Sequence, residues 1–157
     1  MSELLDRRAI KLAETAADRE DAIRRCGEAL VEIGAVDPGY VATMLAREQS
    51  ISTYVGEGVA IPHGTLGGKA LVHRDALAVL RFPAGVDWGG EPVTVCVGIA
   101  ASGDGHVELL AALAEILLDE DQARELREAT DPDTVIRLLG AIKNETGDEP
   151  VREDSKS

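Results

Sequence analysis

Short apolar runs alternate along this chain with longer stretches in which apolar residues recur every three or four positions. The runs predict four strands, at residues 9–12, 59–61, 76–82 and 93–100. The last run is nearly all apolar and rich in β-branched residues, which is typical of a buried central strand. Residues 83–90 contain Pro83, Gly85 and a Gly89-Gly90 pair, and they predict a turn.

The stretches with helical spacing predict five helices. The first follows Asp18 as N-cap and ends before Gly34, and the second opens at Asp37-Pro38 and ends near Arg47. The other three cover residues 106–117, 122–129 and 134–142. Strands that alternate with helices predict one α/β domain over residues 1–143. Residues 144–157 carry five acidic and two basic side chains, and predict an acidic disordered tail or the stub of a linker.

The charge of the chain is strongly negative. Sixteen Lys and Arg against twenty-nine Asp and Glu give 16 − 29 = −13. Without a concentrated basic patch, which the sequence lacks, such a chain does not bind nucleic acid or an anionic membrane surface. The acidity would attract a partner with a basic face, and it would equally serve solubility alone.

Two cysteines stand far apart in the sequence and suggest neither a disulfide framework nor a metal pair. Cys26 falls on a helical apolar stripe and Cys96 in the apolar strand, so both are expected to be buried free thiols. The N-terminal residues show no signal-peptide stretch, and no apolar run is long enough to span a bilayer. These features favour a soluble protein of the reducing cytoplasm, without direct membrane insertion.

Three histidines are the candidates for chemistry. His63 follows a strand, between Pro62, which fixes its own φ, and Gly64, which is expected to leave room for a large group to approach. His106 opens a helix, where free backbone N–H groups and the helix dipole favour an anion. From the residues alone, the more common interpretations are an ordinary turn residue for His63 and a surface residue of the first helical turn for His106. His73 lies in a polar stretch and is expected to be solvated.

Several familiar active-site patterns are missing from the sequence. Gly56-Glu57-Gly58 lacks the third glycine of a dinucleotide fingerprint, and no phosphate-binding Gly-Lys-Ser/Thr loop occurs. There is no Gly-x-Ser-x-Gly elbow of a serine hydrolase and no histidine pair at the spacing of a zinc site. His63 and His106 therefore remain the chemical candidates.

Residues 44–65, MLAREQSISTYVGEGVAIPHGT, resemble the phosphorylation-site signature of the mannitol/fructose-type enzyme IIA proteins. These belong to the phosphoenolpyruvate-dependent sugar phosphotransferase system. The resemblance extends to residues 82–86, to the strand that ends at Ala100, and to Gly103-Asp104-Gly105-His106 at the start of its helix. It spans about residues 9–142 and is nearest to the mannitol branch.

The resemblance implies a role for each matching residue. His63 matches the phosphorylated histidine, His106 the second active-site histidine, and Arg47 the active-site arginine. The fold it implies is a mixed, mainly parallel sheet flanked by helices. The phosphoryl donor would be HPr and the acceptor a cysteine of a IIB component, which serves the membrane transporter IIC. Neither a metal nor a nucleotide is required, because an imidazole nitrogen is itself a nucleophile and a guanidinium can neutralise phosphoryl oxygens.

Three hypotheses of function result. The first is a phosphocarrier for uptake of mannitol or a similar sugar. The second is a regulatory protein resembling the nitrogen-type IIA branch, whose phosphorylation state controls its binding to other proteins. The third is a metal-dependent enzyme that uses His63 and His106, although further ligands are missing from the sequence.

Overall fold

The computed structural model describes residues 5–50, 52–101 and 105–139, and for residues 66, 67, 69 and 105–108 the description is confined to the backbone. The predicted acidic tail, residues 144–157, lies outside these ranges. The elements in chain order are β1 (Leu5–Lys11), α1 (Arg19–Glu32), α2 (Tyr40–Ser50), β2 (Tyr54–Gly56), β3 (Val59–Ala60), a 3-10 helix (Leu66–Leu71), β4 (Ala76–Trp88), β5 (Glu91–Ala100), α3 (Gly105–Leu118), α4 (Glu120–Arg127) and α5 (Pro132–Leu139).

The strands form one mixed sheet in the order β1-β4-β5-β3-β2. β1 is parallel to β4 and β3 is parallel to β5, whereas β4 with β5 and β2 with β3 are antiparallel. The expectation of a single α/β domain with a mixed sheet flanked by helices is confirmed. Among the described strands, two pairings are parallel and two antiparallel, rather than mainly parallel, because β4–β5 and β2–β3 are both pairs of consecutive strands.

β5 is the central strand, as its apolar sequence predicted, and its side chains alternate between two cores. One core contains residues of α1 and α2 with Cys96 and Ala100 of β5. The other contains residues of α3, α4 and α5 with Val95, Val97 and Ile99. Both faces of the sheet are therefore covered by helices, which explains the nearly continuous apolar run of β5.

The predicted turn at residues 83–90 was wrong for most of its length, because β4 continues to Trp88. The register between β4 and β5 shifts between Arg81 and Val86, and Gly85 adopts φ +83° within this irregularity. A bulge accommodates such residues without ending the strand. Only Gly89 and Gly90 form the predicted turn.

The start of α2 also differs from its prediction. Asp37 and Pro38 were expected to open the helix, which begins at Tyr40. The carbonyls of Asp37 and Pro38 accept the backbone N–H groups of Tyr40 and Val41, at 2.9 and 3.2 Å. The two residues therefore form the turn that leads into α2. The first helix, by contrast, has Asp18 as its N-cap, as predicted.

Both cysteines are buried free thiols, as predicted. Cys26 of α1 and Cys96 of β5 lie in the same core. Burial and a hydrogen bond with Cys26 raise the pKa of the Cys96 thiol well above its ordinary value. Among the described residues, no helix has both the length and the apolar character needed to cross a membrane.

Candidate functional site

His63 lies just beyond β3, at the edge of the sheet where β5 ends. The backbone N–H of Ile99 in β5 donates to the Pro62 carbonyl at 2.9 Å, and His63 forms an isolated parallel bridge with Ile99. The residue is 8% exposed, so only a small part of its surface meets solvent. Residues 62–64, which we call the histidine segment, are therefore fixed to the central strand rather than forming a free loop.

A backbone contact determines which nitrogen of the neutral His63 ring carries the proton. Nδ1 lies 2.9 Å from the backbone carbonyl oxygen of Ile61. A carbonyl oxygen only accepts hydrogen bonds, so Nδ1 must carry the proton. In the neutral ring the lone pair then resides on Nε2. The local fold thus makes Nε2, rather than Nδ1, the basic nitrogen of the neutral ring.

Tyr40, at the start of α2, holds the backbone next to His63. Its hydroxyl accepts a hydrogen bond from the Gly64 N–H and donates one to the Ile99 carbonyl, both at 2.9 Å. The side chain therefore bridges the histidine segment and β5. Sequence reasoning missed this role, because Tyr40 reads as one more member of the apolar stripe of α2.

Gly64 serves a different purpose from the one expected. A Cβ atom at this position would lie 2.5 Å from Thr43 Oγ1 and 2.6 Å from Tyr40 Cε1. The space beside the glycine is thus filled by α2, and the expectation that it admits a large approaching group was wrong. The absence of a side chain instead lets α2 pack directly against the histidine segment.

Arg47 lies in the last turn of α2 and is half-buried. Residues 40, 43 and 47 share one face of a helix by their spacing. Since Tyr40 and Thr43 contact Gly64, this is the face of α2 that packs against the histidine segment. Arg47 is therefore one turn beyond Thr43 on the same side as His63.

The other two histidines lie in different parts of the chain's secondary structure. His106 lies in the first turn of α3, which begins five residues after β5 ends beside His63. Its side chain lies outside the described residues. His73 is an exposed residue whose Nε2 is 2.8 Å from Asp37 Oδ1. The expectation that His73 is solvated is confirmed.

An open groove of about 340 Å³ adjoins Ile61, between the β2–β3 hairpin and α3. Its lining is largely apolar, and it includes two large apolar side chains that are exposed to solvent, Val55 and Leu118. In the part of the chain that the structure describes, no three His, Cys, Asp or Glu side chains are grouped as metal ligands would be. The hypothesis of a metal-dependent enzyme therefore gains no ligand set from these residues.

Tyr40 leads to a prediction about alkaline pH. Burial raises the pKa of the Tyr40 hydroxyl above its ordinary value of about 10. The unfolded chain therefore loses this proton first, so the free energy of unfolding is expected to fall as pH rises above about 10. Absorbance titration of tyrosinate in a Tyr54→Phe variant, whose remaining tyrosine is Tyr40, measures the shift. A midpoint no higher in the folded protein than in denaturant would contradict the expectation.

The family model of the phosphoenolpyruvate-dependent sugar phosphotransferase system, EIIA 2, matches residues 3–141. The chain therefore belongs to this family of phosphotransferase components. The mannitol-specific phosphotransferase enzyme IIA component of Staphylococcus aureus is 39% identical over 139 residues, which cover 88% of this chain and 96% of that protein. The resemblance stated from residues 44–65 is confirmed.

Two further relatives are part of a longer chain and part of a protein complex, respectively. A multiphosphoryl transfer protein of Escherichia coli O157:H7 is 46% identical over 127 residues, 80% of this chain, but the match spans only 34% of that protein's length. The enzyme IIAMTL in a solution structure of its complex with phosphorylated enzyme IIBMTL from Escherichia coli is 36% identical, with a TM-score of 0.81. That match covers 88% of this chain and 99% of the other. These relatives favour sugar phosphotransfer over the nitrogen-type regulatory hypothesis.

Proposed function

We propose that this chain is a cytoplasmic phosphocarrier of the sugar phosphotransferase system, with His63 as the residue that carries the phosphoryl group. The donor is phospho-HPr, and the acceptor is a cysteine of a mannitol-type IIB component that serves a membrane IIC. The observation that carries the proposal is the His63 ring itself. Its Nδ1 proton is bound by the Ile61 carbonyl, which leaves Nε2 to react.

Each transfer exchanges one bond to phosphorus for another. The lone pair of His63 Nε2 attacks the phosphorus, a new N–P bond forms, and the electron pair of the old N–P bond returns to the HPr histidine. In the second step a cysteine thiolate of IIB attacks, an S–P bond forms, and Nε2 regains its lone pair. The Nδ1 proton stays in place throughout because the Ile61 carbonyl holds it.

Arg47 and His106 assist the transfer in this proposal. The transition state of phosphoryl transfer requires in-line positioning of the attacking and leaving atoms and neutralisation of the equatorial phosphoryl oxygens. The Arg47 guanidinium supplies forked N–H donors from the face of α2 that packs on the histidine segment. His106, whose backbone lies in the first turn of α3, would supply a further N–H donor at a helix terminus that favours an anion.

Two surface properties support protein partners. The net charge of −13 favours a donor with a basic docking face. The apolar groove beside Ile61 offers exposed Val55 and Leu118 within reach of a protein that approaches His63. The mannitol preference rests on the Staphylococcus aureus relative and on the Escherichia coli complex with phosphorylated IIBMTL.

The chain incubated with phosphoenolpyruvate, enzyme I and HPr tests the proposal. One acid-labile phosphate per chain is expected, and addition of a mannitol-type IIB should move it to a cysteine. If HPr becomes phosphorylated while this chain takes up no label, the proposal is wrong. Label that no sugar-specific IIB accepts would instead favour the regulatory hypothesis.

A further inference from the structure

Glu48 is a buried carboxylate next to the proposed active site. It lies in the last turn of α2, immediately after Arg47, and is 7% exposed. A charged group in such surroundings is costly unless donors compensate it. Its environment therefore has to supply hydrogen-bond donors, and the positions of these donors show which parts of the chain the carboxylate connects.

Three donors from two parts of the chain converge on the Glu48 carboxylate. Oε1 accepts the Thr53 N–H at 3.1 Å and the Thr53 hydroxyl at 2.5 Å. Oε2 accepts the Trp88 indole N–H of β4 at 3.0 Å, and Arg19 Nη1 lies 4.0 Å away. The carboxylate thus binds the segment that follows α2 with one oxygen and the end of β4 with the other.

The Thr53 contact continues to the histidine through backbone groups. The Thr53 carbonyl accepts the Ile61 N–H at 3.0 Å, and the Ile61 carbonyl accepts the His63 Nδ1 proton at 2.9 Å. Ile61 is therefore fixed at its N–H by Thr53, and its carbonyl in turn orients the imidazole ring. Both hydrogen-bond donors of Thr53 bind Glu48, so the carboxylate fixes the position of Thr53. We call the hydrogen bonds that lead on from Thr53 through Ile61 to His63 the backbone relay.

From these contacts we propose that Glu48 is a positioning residue of phosphoryl transfer. It connects the last turn of α2, which carries Arg47, to the backbone relay that orients His63. The inference rests on the proposed function. Glu48 does not touch the phosphoryl group. It sets the relative position of the guanidinium and the nucleophilic nitrogen, and misplacement of reacting groups by a fraction of an ångström slows a reaction strongly.

The chemistry of the site requires a carboxylate rather than an amide. All three short contacts come from donors, so both oxygens must accept. Glutamine has nearly the same shape, but its single oxygen is expected to stay beside the Trp88 N–H and the Arg19 guanidinium, so its NH₂ group would face the Thr53 N–H, donor against donor. Glu48→Gln therefore removes one arm of the connection with little change in volume.

The experiment compares three variants of the full chain. Glu48→Gln disturbs the carboxylate, and Thr53→Val removes the hydroxyl donor on the histidine side. Trp88→Phe removes the indole donor on the β4 side and leaves the Thr53 contact intact, so it is the matched control. Two quantities are measured: the ¹⁵N shifts of the His63 ring in the unphosphorylated protein, and the rate of phosphoryl acceptance at varied phospho-HPr.

Glu48→Gln and Thr53→Val are expected to shift the His63 ring nitrogens and to lower kcat about tenfold. KM for phospho-HPr should stay within about twofold, because the docking surface is unchanged. Trp88→Phe should leave the ring shifts near those of the wild type. Purely structural damage would instead lower the unfolding temperature without moving the ring shifts of the folded fraction.

Folded Glu48→Gln and Thr53→Val variants with wild-type ring shifts and wild-type kcat would overturn the inference. If Glu48→Gln does not fold, Thr53→Val alone decides, since it retains the carboxylate. The ring shifts are measured without any donor protein. A wild-type chain that accepts no phosphate would therefore refute the proposed function, while the shifts would still show whether Glu48 orients His63.

Discussion

Phosphorylation is expected to fall to background when His63 is replaced by glutamine. The glutamine side chain fills much of the same buried space, but its amide nitrogen is not a nucleophile because its lone pair is delocalised into the carbonyl. With phosphoenolpyruvate, enzyme I and HPr as the donor system, the chain should take up no acid-labile radioactive phosphate. Gel autoradiography before and after acid treatment measures the effect.

His73→Gln is the matched control for that experiment. His73 is exposed, and its Nε2 contacts the Asp37 carboxylate rather than a residue of the signature segment. This variant should label like the wild type. Equal labelling of the His63→Gln and wild-type chains would show that another residue carries the phosphoryl group.

Gly64→Ala is the second substitution for which a large effect is expected. The added methyl group would lie 2.5 Å from Thr43 Oγ1 and 2.6 Å from Tyr40 Cε1, closer than van der Waals contact permits. Either α2 moves away or the histidine segment shifts, and both weaken the Tyr40–Gly64 hydrogen bond. The free energy of unfolding should fall by about 1–3 kcal/mol, as overpacking typically costs. Urea denaturation measures this change, and the phosphoryl acceptance rate should fall with it.

Gly39→Ala provides the comparison, because this glycine precedes the same helix. A Cβ atom there would meet only Leu71 Cδ1, at an ordinary 3.5 Å. Its unfolding free energy should change by less than about 0.5 kcal/mol. If Gly64→Ala were as stable and as active as Gly39→Ala, the packing of α2 on the histidine segment would contribute neither to stability nor to phosphoryl transfer.

The parts of the fold that could be predicted are those fixed by local pattern. The apolar run of residues 93–100 identified the central strand, and Asp18 with its helical stripe identified α1. The continuation of β4 through Pro83 and Gly85 could not be predicted, since those residues favour a turn unless a partner strand accommodates a bulge. β2 has three residues, which are too few to show the alternation of apolar and polar positions that identifies a strand.

The candidate site divides in the same way. His63 and Arg47 could be proposed because one continuous segment carries both and resembles a known signature. Tyr40 and Glu48 were missed, since their partners are distant in sequence: Tyr40 contacts Gly64 and Ile99, and Glu48 contacts Trp88. Helical spacing indicates which face of α2 is buried, but it does not show which backbone group or indole each side chain meets.

The identity of the atom that takes up the phosphoryl group from phospho-HPr tests the central claim most directly. Phosphorus–nitrogen coupling in ³¹P and ¹⁵N NMR spectra of the phosphorylated, ¹⁵N-labelled chain identifies that atom. The hydrogen bond from Nδ1 to the Ile61 carbonyl predicts phosphate on Nε2 of His63, with the Nδ1 proton retained. Phosphate on Nδ1, or on the ring of His73 or His106, would contradict the account.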